Sequence, residues 1–401
     1  MNLFSLANFP VDGKTILVRV DFNVPIKAKK ITDNAKIKAT IPTIKYLLHK
    51  RCKVVLATHL GRPNGFSAEF STKILLKELQ KLLPKRKIVL LPDCIGKEIK
   101  ETIQKGIPQT IFLLENLRFY KEEEQNDTFF AHSLANLAEV YVNDAFGVSH
   151  RKHASVDAVA AFLPAIPGLL LEKELQELSK GLFPEKPAVL ILGGAKLNKV
   201  ALVEQALRKF DHLLIGGALA FSFLKAKGIS VGLSKIDPDS IVAAAKILRK
   251  PEAYKIILPL DFVAAESFSP KAKTEIVKYN QIKPNQVGLD LGPETISLFK
   301  KYLQSAKTII WNGPLGYFEW SKFAASTKEI GRFLGQLPEA ITLAGGGETA
   351  EALTKFHLHH TLTHVSTGGG AAVEYLSGEK LPAIAALERS YKKFKGKYST
   401  K

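Results

Sequence analysis

The sequence predicts an α/β protein whose parallel sheets are covered by helices on both faces, divided into two domains. Three observations predict it. At 401 residues the chain exceeds what one hydrophobic core comfortably serves. Short apolar, β-branched runs alternate with helical periodicities in both halves, as crossover-connected parallel strands require. Four apolar runs in the second half also hand over to a helical pattern through paired or tripled glycines: Val189 to Gly194, Leu213 to Gly217, Ala340 to Gly347 and His364 to Gly370.

In the first half, strands are expected at Ile16 to Val24, Lys53 to Ala57, Ile88 to Leu91, Ile111 to Leu114 and Val140 to Val142. Between them Ile37, Ile41, Ile44, Leu47 and Leu48 recur at helical spacing, with Pro42 near the start of that helix, where it is tolerated. Pro164 to Pro187 separates the halves. Within it Leu169 to Leu182 has helical spacing and is bracketed by Pro and Gly, so it reads as an interdomain strut with a bend at each end.

Ligands of open parallel sheets sit beyond the carboxyl ends of the strands. His59, Arg62, Arg118, His150 and Arg151 fall there in the first half, and the glycines fall there in the second. Without Cβ, glycine lets backbone N–H groups approach an anion, and a following helix N-terminus adds its positive dipole end. One half therefore reads as a nucleotide site and the other as a site for a small, highly anionic partner, facing each other across a cleft. Lys196, Glu348 and Thr349, beside two of the glycine loops, suit a magnesium nucleotide, and Asp21 and Asn23 suit a substrate hydroxyl.

Composition excludes several classes. No stretch approaches the roughly 18 apolar residues of a membrane span, because Ala158 to Leu171 is broken by Pro164 and Pro167. Met1 to Gly13 has no basic n-region, so export is not expected. Cys52 and Cys94 are the only cysteines and form no CxxC, which argues against a disulfide framework and fits a reducing cytoplasm. The 57 Lys and Arg against 38 Asp and Glu give a formal +19. That excess is spread along helical patterns such as Lys73 to Lys87, so no specific nucleic-acid role is read from it. Tyr391 to Lys401 reads as a frayed basic tail. His357, His359, His360 and His364 lack companion Cys or carboxylates and read as a helix-to-strand connection, not a zinc site. The Walker loop is absent.

Val18 to Pro25, His59 to Pro63, Glu115 to Phe119, Asn143 to Gly147 with His150 and Arg151, Gly193 to Lys196, Trp311 to Pro314 and His364 to Gly370 resemble, in order and over essentially the whole chain, the motifs of phosphoglycerate kinase. The resemblance implies two Rossmann-like three-layer domains with parallel sheets, joined by an interdomain helix and a ligand cleft. The division would be residues 1–165 for phosphoglycerate, a hinge at 166–182, residues 183–375 for nucleotide, and 376–401 returning to the first domain. It implies a cytoplasmic monomer that reversibly transfers a phosphoryl group from 1,3-bisphosphoglycerate to ADP with Mg2+, giving 3-phosphoglycerate and ATP.

By the same resemblance Asp21, Asn23, His59, Arg62, Arg118 and Arg151 hold the phosphoglycerate, and Lys36 occupies the place of a catalytic arginine. Gly193, Gly217, Leu289, Asn312, Pro314 and Glu319 line the adenosine pocket. Gly346, Gly347, Glu348, Thr349, Lys196 and Lys199 meet phosphates or the metal, with Glu348 the metal ligand and Gly369 at the transferred group. Three departures fall on the reacting centre: Lys36 for arginine, Glu348 for aspartate, and Lys196 and Lys199 three apart where the family spaces them by four. They leave two alternatives, a weakly active or inactive relative that binds nucleotide, and a polyanion-binding protein.

Overall fold

The computed structural model describes residues 2–194 and 200–398, residues 200–202 by their backbone alone. The chain divides into two compact units, one running to Leu175 and taking in everything from Lys380 onward, the other spanning Gln176–Glu379. The helix Leu169–Leu182 contains that boundary.

In the first unit the strands are β1 (Thr15–Val20), the short hairpin β2 (Ile26–Lys27) and β3 (Lys30–Ile31), β4 (Lys53–Ala57), β5 (Ile88–Leu90), β6 (Ile111–Leu113), β7 (Val140–Asp144) and β8 (Ala165–Pro167). Six of them form a parallel sheet in the order β5-β6-β4-β1-β7-β8. Helices on both faces explain why β1 and β7 are buried along their whole length and read as unbroken apolar runs rather than alternating ones. β1 is shorter than the expected Ile16 to Val24. After Val20 the backbone N–H groups leave the ladder, Phe22 donating to Thr58 Oγ1 at 3.0 Å and Asn23 to Asp21 Oδ1 at 3.3 Å.

The second unit holds β9 (Ala188–Leu192), β10 (His212–Ile215), β11 (Ile256–Ile257), β12 (Asp261–Ala265), β13 (Thr274–Lys278), β14 (Val287–Leu291), β15 (Thr308–Asn312), β16 (Ile341–Gly345) and β17 (His364–Val365). Six make a second parallel sheet, β11-β10-β9-β15-β16-β17, while β13-β12-β14 form a separate antiparallel sheet. Helices begin at Gly217 after β10, at Gly347 after β16 and at Gly370 after β17.

The basic C-terminus is not a frayed tail as far as Tyr398. Pro382–Tyr398 is a helix that packs on the first unit, with Tyr391, Phe394 and Tyr398 set against its core and the Tyr391 ring 4.9 Å from that of Phe4. Ser390 Oγ accepts the Ala165 N–H at 2.8 Å, and Arg389 pairs with Asp157. Burial pushes the Cys52 thiol up to about 11 and the Cys94 thiol well above its ordinary value, and both are free cysteines inside the first unit. No helix among the described residues is long and apolar enough to cross a membrane.

Candidate active site

Adjacent parallel strands β6, β4, β1 and β7 end at one edge, so the residues that follow them gather there. Asp21 and Asn23 follow β1, His59 and Arg62 follow β4, Arg118 follows β6, and His150 and Arg151 follow β7. Asn116 locks this edge with all four hydrogen-bonding positions of its side chain. It accepts from the N–H of Leu60 at 3.1 Å and of Arg118 at 3.0 Å, and donates to the carbonyls of Leu60 at 2.7 Å and Phe70 at 3.0 Å. Asn23 adds a further tie by accepting the Gly61 N–H at 2.9 Å.

The cations here outnumber their partners. Arg118 bonds the Gly61 carbonyl at 2.7 Å and Glu124 at 2.9 Å, yet its Nε is buried without a hydrogen-bond partner. Lys36, in the first turn of the helix Ala35–His49, reaches Asp21 Oδ2 at 2.8 Å. Arg62 is exposed. Arg19, buried inside β1, donates to Ser155 Oγ at 2.7 Å and lies 3.8 Å from the buried Glu123. Burial first, and then this crowd of guanidinium groups, holds His59 well below the usual imidazole range. His150 is lowered and His153 is taken down to about 3 by the same causes. A self-repelling cluster of this kind is stabilised by an anion that neutralises it.

In the second unit, β12, β14, the helix Gly217–Ala226 and the segment 313–319 enclose a cavity of about 560 Å³. Its walls include Phe221, Phe262, Leu289, Pro314 and Tyr317, and its acidic lining residues are Glu319, Glu348 and Asp290, the last buried and accepting the Ser326 N–H at 3.2 Å. Phe221 and Phe262 lie with ring centroids 4.7 Å apart. An apolar slot with a few placed polar groups suits a flat heterocycle with a polar appendage.

The glycine junctions divide into two kinds. A Cβ on Gly193 would stand 2.1 Å from the Pro314 carbonyl oxygen, and one on Gly217 2.6 Å from the Gly194 nitrogen. These glycines let loops pack backbone on backbone, with Gly193 N–H on Asn312 O at 2.8 Å and Gly194 N–H on Pro314 O at 2.9 Å. Gly347 has open space around its missing Cβ, and the nearest atom to that of Gly369 is the Gly347 nitrogen at 3.9 Å. That pair stands at two helix starts, Gly347 opening one helix and Gly369 preceding the other, with room beside the backbone. The junctions therefore differ in room: Gly193 and Gly217 are closed in by backbone, and Gly347 and Gly369 are not.

The sequence model of the phosphoglycerate kinase family matches residues 6–379. The chain belongs to the phosphoglycerate kinase family. It is 43% identical over 390 residues to the phosphoglycerate kinase of Dictyoglomus turgidum, covering 96% of this chain and 98% of that protein. It is 44% identical over 395 residues to the cytosolic phosphoglycerate kinase of Triticum aestivum, again covering 96% and 98%. Among solved structures, the phosphoglycerate kinase of Coxiella burnetii superposes with a TM-score of 0.85 at 36% identity, covering 97% of this chain and 99% of that one. The phosphoglycerate kinase from Pyrococcus horikoshii gives 0.87 at 32%, covering 98% and 100%.

Within this phosphoglycerate kinase fold, Gly217, Leu289, Pro314, Glu319 and Glu348 line the cavity, whereas Gly193 and Asn312 are buried and do not line it. Asn312 Nδ2 donates to the Gly345 carbonyl at 3.0 Å. Thr349 is buried, its hydroxyl accepting the Gly313 N–H at 2.7 Å and donating to Gly345 O at 2.9 Å, so the side chain braces two loops. Gly346 adopts φ +96° before the Gly347 helix. Lys196 and Lys199 lie outside the described residues. His360 lies in the connection from helix into β17 and His364 is the first residue of that strand, and no metal-binding cluster of three His, Cys, Asp or Glu occurs among the described residues. Sequence reasoning missed Arg19 and gave Asn116 no role. The signal for the first was an arginine within the otherwise apolar Leu17 to Val20 run of a buried strand.

Proposed function

We propose that this chain catalyses reversible phosphoryl transfer from 1,3-bisphosphoglycerate to ADP, giving 3-phosphoglycerate and ATP, the glycolytic step named by its relatives. The observation that carries it is the under-neutralised cluster of Arg19, Lys36, Arg118 and Arg151 around an uncharged His59 in one unit. It is joined in the chain to a unit with an apolar, carboxylate-edged cavity. Such a cluster suits a ligand carrying a phosphate and a carboxylate.

In the direction of ATP use the nucleophile is the glycerate carboxylate, ionised near neutral pH, so no general base is needed. The lowered histidines fit this, acting as neutral hydrogen-bonding groups. Asp21, Asn23, His59, Arg62, Arg118 and Arg151 would bind and orient the phosphoglycerate. Lys36 leaves Asp21 to neutralise oxygens of the transferred group, together with Lys196 and the backbone N–H groups at Gly346, Gly347 and Gly369. Lys199 would meet the nucleotide phosphates, while Gly193, Gly217, Leu289, Asn312, Pro314 and Glu319 form or support the adenosine pocket.

Glu348 fits a magnesium ion that keeps phosphate and water ligands, because its carboxylate faces the cavity at the open helix start. Bound there, Mg2+ supplies charge neutralisation to the polyphosphate. The domain division at residues 1–165, 166–182, 183–375 and 376–401 is part of this reading, as are a monomeric state and a cytoplasmic site of action. The boundary between compact units within the Leu169–Leu182 helix supports the hinge.

The test is a coupled assay of purified protein with magnesium ATP and 3-phosphoglycerate. Turnover dependent on both substrates is expected, and turnover absent at saturating concentrations of both overturns the reading. Titration calorimetry on Glu348→Gln, with and without magnesium, should show the metal's contribution to nucleotide affinity falling.

A further inference from the structure

We propose that Lys355 is a positioning residue of the nucleotide site, holding the Glu319 end of the cavity wall in place; this rests on the nucleotide reading above. The segment 313–319 supplies Pro314, Leu315, Gly316, Tyr317 and Glu319 to the cavity. Both of its ends are fastened to one helix, Gly347–Lys355. At its start the Gly313 N–H donates to Thr349 Oγ1 at 2.7 Å. At its finish Lys355 Nζ donates to the carbonyls of Glu319 at 2.7 Å and Phe318 at 3.2 Å.

A lysine in a final helical turn ordinarily complements that helix's own dipole. This one reaches across to another segment's carbonyls instead. Its ammonium also lies 5.8 Å and 5.9 Å from the ring centroids of Phe318 and Phe356, with Phe318 itself buried. Two charge-assisted bonds to consecutive carbonyls fix the peptide planes on which Glu319 is mounted, and so the direction of its carboxylate. Thr349 and Lys355 are six residues apart, about 9 Å along the axis. One rigid helix therefore sets the spacing between the phosphate end, where Glu348 sits, and the wall where Glu319 can accept hydrogen bonds from a ribose.

The experiment compares wild type, Lys355→Met, Lys355→Arg and Lys328→Met. Lys328 packs on the same Phe356 ring, 4.7 Å from its centroid, and serves as the control for ring contact. Steady-state constants are measured with magnesium ATP and with its 2′-deoxy and 3′-deoxy analogues. Lys355→Met should raise the KM for ATP about three- to tenfold, with kcat changed far less. Its preference for ATP over the deoxy analogues should shrink, while the KM for 3-phosphoglycerate stays put. Lys355→Arg should restore most of the preference, and Lys328→Met should match wild type. A Lys355→Met enzyme with unaltered KM and ribose preference overturns the proposal, as does a loss shared equally by both substrates. Wild-type protein with no affinity for magnesium ATP overturns the nucleotide reading and this inference together.

Discussion

Arg19 Nη2 lies 3.4 Å from Nδ1 of His59, both side chains being buried. A guanidinium can only donate, so Nδ1 must accept, and the ring is neutral with its proton on Nε2. The strand that contributes Arg19 thus sets how His59 presents itself, and the opposite nitrogen is left as a donor for an anionic ligand.

Acid should weaken the first unit through His59, His150 and His153. These rings stay neutral in the fold while the unfolded chain takes up protons below about pH 6.5. Their contribution is fully present above that pH and is lost as pH falls, for His153 down to about 3. Each ring contributes a slope of up to about 1.4 kcal/mol per pH unit in its window. Thermal unfolding at pH 8, 7, 6 and 5 should show the midpoint dropping, and 3-phosphoglycerate should raise the His59 value in an NMR titration by placing negative charge beside it.

Asp144 should act with the opposite sign. Its Oδ1 accepts the N–H groups of Leu170 at 2.9 Å and Leu171 at 3.3 Å at the start of the Leu169–Leu182 helix, and burial pushes its carboxyl up from 3.8 to about 7. The folded state keeps a proton that the unfolded state has released, so stability falls as pH rises from about 4 to about 7. Asp144→Asn preserves the acceptor and removes the titration. Relative to wild type it should gain on the order of 4 kcal/mol at pH 8 over pH 4, measured by urea unfolding.

Lys36→Arg should raise kcat about tenfold, since a planar fork can grip two oxygens where an ammonium meets one. Lys36→Met should lower it about a hundredfold. Single-turnover rates with both substrates saturating are the measurement. An unchanged Lys36→Arg rate would place the slow step outside chemistry.

Gly193→Ala and Gly347→Ala should separate packing from ligand approach. The first forces a methyl to within 2.1 Å of a backbone carbonyl and should cost about 3 kcal/mol or more in unfolding free energy. The second meets open space, so folding should stay close to wild type while nucleotide affinity falls, read by calorimetric unfolding and titration side by side.

What could be read in advance follows from periodicity and punctuation. The Leu169–Leu182 helix was legible because proline and glycine bracket an amphipathic stretch. The glycine junctions stood out because paired glycines after an apolar run are rare without a backbone reason. The antiparallel sheet β12, β13 and β14 was not legible: β13 is mostly exposed, and nothing local to Thr274–Lys278 announces which strand it pairs with. Asn116 carried no local signal and Thr349 was read as a phosphate contact, because their bracing roles arise from partners 56 and 36 positions away in the chain. Lys355 was hidden for the same reason.

The two sealed cysteines have a consequence for chemical wear. Peroxide and electrophiles attack the thiolate, and neither Cys52 nor Cys94 offers one at neutral pH. The sequence's single methionine is its first residue. Oxidants therefore find few places to mark this chain, and its turnover should outlast doses that silence thiol-dependent enzymes.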